Sequence, residues 1–124
     1  MSQGESRMKE LILRDKVVSQ VISHFVTSLG EVKEIDHIDN QITIIRFKSS
    51  DVLTAKVCLI GNLQEGNRVP YNTLTVDIVL NGKRVFSDKY EGDEVILLRM
   101  CENLVYIMMG IMGGNKNERV GNGA

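Results

Sequence analysis

Tryptophan is absent from the 124 residues, which hold only three phenylalanines and three tyrosines. Proteins that hold single-stranded nucleic acid stack bases on such rings, and this chain has few to offer. A basic excess is missing too, since 15 Lys and Arg face 16 Asp and Glu with no basic tail or stripe along the chain. Counterion release supplies much of the affinity of phosphate-bound proteins, so nucleic acid is not the expected partner.

Cysteine and histidine are scarce, with two of each. Cys58 and Cys101 sit in apolar runs, where a thiol behaves as a small buried hydrophobe, and two isolated cysteines make no disulfide framework. A zinc site would require Cys58, Cys101, His24 and His37 to converge from scattered positions. No serine, zinc or dithiol catalytic motif appears. Gly61 and Gly66 have the separation of the two glycines in a phosphate loop, but Asn67-Arg68 stands where Lys-Ser or Lys-Thr is needed. No enzyme, metal or cofactor is expected on this reading.

Length allows a single domain that buries roughly two-thirds of its unfolded surface. The polar opening from Met1 to Arg7 has no apolar stretch of the kind a secretory signal carries, and cytoplasmic residence is the expectation. Residues 95–112 are almost wholly apolar and approach the length of a membrane span, yet Arg99, Glu102 and Asn103 interrupt them. They read as a buried helix, and no membrane role is expected.

Apolar residues at 8, 11, 12, 18, 21, 22, 25, 26 and 29 follow helical spacing, with Ser6 as the N-cap, a second segment beginning at Asp15 as the alternative, and Gly30 as the stop. Lys9, Arg14, Lys16, Gln20 and Ser23 fall largely on the opposite, solvent face. Residues 31–90 then turn to β-branched runs. Strands are expected at 31–38 and 41–48 around an Asp39-Asn40 turn, at 53–60, and at 74–80 and 83–90 around Asn81-Gly82. A two-residue turn at Asn81-Gly82 sets Ile78 opposite Val85 and Asp77 opposite Phe86, with Leu74, Val76, Ile78 and Leu80 facing the core. Asp93 begins the last helix, which is apolar on every side beyond Asn103. The class is α+β: an N-terminal helix, an antiparallel meander of about five strands and a C-terminal apolar helix. Residues 1–114 form the domain, and 115–124 read as a disordered polar tail.

Three groups of residues are candidates for contact. Residues 61–73 read as a long loop without secondary structure, carrying Arg68, Tyr71 and Asn72. Arg46, Lys48 and Lys56 alternate on neighbouring strands. Tyr106, Met109 and Met112 share one side of the last helix, and an all-round apolar helix on a chain this short calls for cover from a second copy. The function read from these features is that of a small non-enzymatic accessory protein that forms a homodimer and binds a protein partner. The alternative is binding of nucleic acid or a small anion by the sheet face and the 61–73 loop.

Overall fold

A computed structural model describes the backbone of residues 3–64 and 67–112, and the side chains of residues 10–60 and 73–110. The tail assigned to residues 115–124 lies outside the described residues. The chain runs α1 (Gln3–Leu29), β1 (Val32–His37), β2 (Ile42–Phe47), β3 (Val52–Gln64), β4 (Asn67–Leu80), β5 (Lys83–Glu91), α2 (Glu94–Glu102) and α3 (Leu104–Met112). The strands form one antiparallel sheet in sequence order, as short connections dictate, and the class is α+β.

α1 is continuous and starts before Ser6, so Ser6 lies within the helix instead of capping it. Leu13, Val17, Val18, Val21 and Phe25 form its buried stripe, at the three-and-four spacing of one helix face. Gly30, at φ 92°, ends the helix and its N–H donates to the Val26 carbonyl at 2.9 Å. Arg14 departs from its expected solvent face and is only 9% exposed. Its guanidinium donates to the Asp15 carboxylate at 2.9 Å and to the Asp39 backbone carbonyl at 3.2 Å. Those bonds offset the cost of burying a charge and tie the helix to the β1–β2 loop.

The inner sheet face carries Ile45 and Phe47 of β2, Leu53, Ala55 and Val57 of β3, Leu74, Val76 and Ile78 of β4, and Phe86 and Tyr90 of β5, all buried against the helices. Each large side chain fully removed from water contributes roughly 1.5–3 kcal/mol, whereas an exposed ion pair gives about 0–1 kcal/mol. The fold is therefore held by this layer of contacts. Leu80, expected among the core residues, is only partly buried at the end of its strand.

Two turns depart from expectation. The β1–β2 connection spans residues 38–41, and neither Asp39 nor Asn40 takes a positive φ. The Asp39 carboxylate instead accepts from the Gln41 and Ile42 N–H groups at 2.8 Å each, building the turn from its side chain. Asn81 and Gly82 do supply the left-handed pair, at φ 50° and 86°. Beyond them the ladder skips Val85, so that Ile78 pairs with Phe86 and Asp77 with Ser87. The regular register would put Phe86 on the outer face beside Asp77; the bulge places it in the core, and its burial outweighs one disturbed ladder bond worth about 1 kcal/mol.

Candidate functional site

The C-terminal apolar segment is two helices rather than one. Asp93 caps α2, accepting from the Ile96 N–H at 3.0 Å. Asn103 ends α2, with its side-chain amide donating to the Arg99 carbonyl at 2.8 Å, and its own carbonyl accepts from Tyr106 and Ile107 to begin α3. Gln20 of α1 completes the start of α3, its Oε1 accepting from the Val105 N–H at 2.8 Å. Gln20 thus caps a neighbouring helix, a role its place on a polar face gave no sign of. The bend lets Leu97 and Cys101 of α2 and Leu104 and Met108 of α3 all reach the core.

Opposite that buried side, Tyr106 is 71% exposed and Met109 is 53% exposed. Three residues apart on one helix, they lie side by side. Met112 ends α3, and its side chain lies outside the described residues. Tyr and Met are enriched at protein–protein contacts relative to the rest of the surface.

The cations do not gather. Arg46 lies on the outer sheet face and pairs with Asp36 at 3.2 Å, while Lys48, in the turn after β2, pairs with Glu31 at 2.6 Å. Lys56 is on the same outer face between Ile42 and Asp77, about 13 Å along the strands from Arg46. Arg68, Tyr71 and Asn72 stand elsewhere, because the segment expected to be a loop is strand. β3 and β4 remain paired through Leu63 with Arg68 and Gln64 with Asn67, forming a two-stranded ribbon beyond the last residues paired to β2 and β5. Register shifts fall between residues 60 and 63, so Pro70, which has no N–H to donate, is passed over by the ladder. Arg68 sits roughly 30 Å along β4 from the Lys56–Asp77 pair. Only its backbone and those of Tyr71 and Asn72 are described.

Burial pushes the Cys101 thiol up to about 12. Burial likewise raises Tyr90, with the neighbouring Asp88 carboxylate as the next cause. His24 meets the edge of Phe25 at 4.8 Å between ring centres, and partial burial lowers its pKa. His37 Nδ1 bonds the hydroxyl of buried Thr43 at 2.9 Å. Among the described residues no three His, Cys, Asp or Glu side chains group to hold a metal, and no helix is long and apolar enough to cross a membrane.

One concavity was not legible from the sequence. A groove of about 370 Å³ runs between α1 and β1, with Val18, Ile22 and Ile35 as apolar lining and Asp15, Ser19 and His37 among its polar lining. Its existence depends on where a long helix crosses the sheet, which no local signal encodes. No protein-family model matches the chain, and comparison with curated proteins and with solved structures yields no match.

Proposed function

We propose that the chain is a non-catalytic binding protein of the cytoplasm that self-associates as a dimer through α3 and engages a protein partner. The observation that carries the reading is the exposure of Tyr106 and Met109 on the outer side of a nine-residue helix whose other side is buried. Apolar side chains presented together to water are relieved by pairing, and a twofold contact is the commonest closed solution. The two cysteines are unpaired, which suits a reducing compartment. Anion binding draws less support, because acids neutralise Arg46 and Lys48 within the chain.

Sedimentation equilibrium of the wild type beside Met109→Glu tests the proposal. A charge at a buried contact should convert a wild-type dimer into a monomer with an unchanged circular dichroism spectrum, weakening association by about tenfold or more. A wild type that is monomeric at high micromolar concentration defeats the self-association reading.

A further inference from the structure

Strand β1 is an edge strand, and among the described residues its ladder partner is β2 alone. The Ile38 N–H donates to the Ile42 carbonyl at 2.8 Å, and an antiparallel ladder alternates its bonded pairs. With Ile38 bonded to β2, Asp36 and Glu34 also direct their backbone groups toward β2. Ile35 and His37 therefore direct theirs away from the sheet, toward open solvent. The same two residues stand on the inner face, opposite Ile45 and Thr43.

The helices do not cover that part of the inner face. α1 packs chiefly on β3, α2 and α3, and α2 on β4 and β5. What remains beside β1 is the groove against Val18 and Ile22, into which Ile35, 43% exposed, contributes an apolar wall. On the outer face Glu34 and Asp36 stand in line. Asp36 meets Arg46 in an exposed pair, and Glu34 makes no ion pair among the described residues. One edge thus offers outward backbone groups, an apolar trough on one side and, on the other, two carboxylates that share the single cation Arg46, which pairs with Asp36 and stands opposite Glu34, leaving an acidic excess.

We infer that β1 is a docking edge for an extended peptide segment of a partner protein, one whose apolar side chains alternate with basic ones. Strand addition supplies the backbone bonds, and the two-residue period sends apolar side chains into the α1–β1 groove and cations beside Glu34 and Asp36. A second copy of β1 fits poorly. In-phase antiparallel pairing centred on residue 34, 35 or 36 sets Glu34 against Glu34, Glu34 against Asp36, or Asp36 against Asp36, and like charges directly opposite destabilise a pair. The inference rests on reading the chain as a binding protein, but not on its self-association through α3.

The test is an amide-resolved NMR titration with the synthetic peptide acetyl-Lys-Val-Lys-Val-Lys-Val-amide. Two controls accompany it: the same peptide with Glu for Lys, and acetyl-Lys-Lys-Lys-Val-Val-Val-amide. The alternating basic peptide should shift the Ile35 and His37 amides and slow their exchange with solvent, binding about tenfold or more tightly than either control. The surface double variant Glu34→Lys, Asp36→Lys should reverse the preference toward the Glu peptide. Ile35→Pro removes an outward N–H without touching the β2 ladder, and should abolish the effect while leaving other amides in place. Unmoved Ile35 and His37 amides overturn the inference, and so does equal binding of the block peptide, which would mean charge attraction without strand addition. Because dimerisation is read separately by sedimentation, a dimer that ignores the peptide refutes this inference and leaves the self-association reading standing.

Discussion

The side chain of Asn81 joins two turns that are distant in sequence. Its amide donates to the Asp51 carboxylate at 2.9 Å, its Oδ1 accepts from the Val52 N–H at 2.8 Å, and its own N–H donates to the Val52 carbonyl at 2.8 Å. Ser49 adds a bond to Asp51 at 2.6 Å and Ser50 takes φ 80°, so the β2–β3 turn is braced from both sides. Asn81→Gly keeps the left-handed conformation and loses these side-chain bonds; Asn81→Ala loses both. Denaturant titration should show the glycine variant weakened by about 1 kcal/mol and the alanine variant by more. Acid should act at the same point. Hydrogen bonds from Ser49 and Asn81 hold the Asp51 pKa below its usual 3.8, and backbone N–H bonds from Gln41 and Ile42 do the same for Asp39. With the folded pKa below the unfolded one, the stabilisation is complete above pH 3.8 and is lost as pH falls through the folded value. The melting midpoint should therefore fall below about pH 4, and less steeply in Asp51→Ala. Equal steepness in the two proteins would assign the acid sensitivity to other carboxylates.

At the scale of elements, what could be read from the sequence is what local chemistry fixes. Asn81-Gly82 marks its turn because only a few residues accept positive φ, and α1 shows in the spacing of Leu13, Val17, Val21 and Phe25. The ribbon of β3 and β4 was hidden because Gly61, Gly66 and Pro70 are residues of turns, and pairing across a ladder is not a local property. The break at Asn103 was hidden inside an apolar run, where one self-capping amide decides between one helix and two. Of the candidate site residues, Tyr106 and Met109 share a face as helical spacing implies. Arg46, Lys48 and Lys56 do not form a group, because the register sets Lys56 opposite Ile42, four residues along β2 from Arg46, and Asp36 and Glu31 pair with Arg46 and Lys48. The ribbon invites a direct test. Residues 61–64 and 67–72 pair only with each other in the described ladders, and an isolated two-stranded hairpin is marginally stable. Joining Ile60 to Thr73 through Asn-Gly should leave the far-ultraviolet spectrum α+β in character and the melting midpoint close to that of the wild type, since loop-closure entropy changes slowly with length. Loss of cooperative melting would make the ribbon part of the fold rather than an appendage.

For the molecule as a whole, the helices among the described residues lie on one face of the sheet and none lies on the other, which carries Ile44, Thr54 and Val79 in one row and Lys56, Asp77 and Ser87 in another. Protection is consequently graded from strand to strand. β3 and β4 have ladder neighbours on both sides and helices above, whereas β1 has one neighbour and the groove. Local opening is cheapest where few apolar contacts break, so β1 should open without the rest of the sheet, while opening at Val76 and Ile78 requires disrupting the core they share with Leu97 and Leu104. Native-state hydrogen exchange should then find the Asp36 amide, bonded to β2, exchanging about 100-fold faster or more than the Ile78 amide. The gradient bears on function, because an edge that is already loosely held is one that an added strand can order, and ordering it would slow Asp36 while leaving Ile78 unchanged. Uniform exchange across the five strands would mean that the sheet opens as one unit and that β1 is held by more than its single ladder.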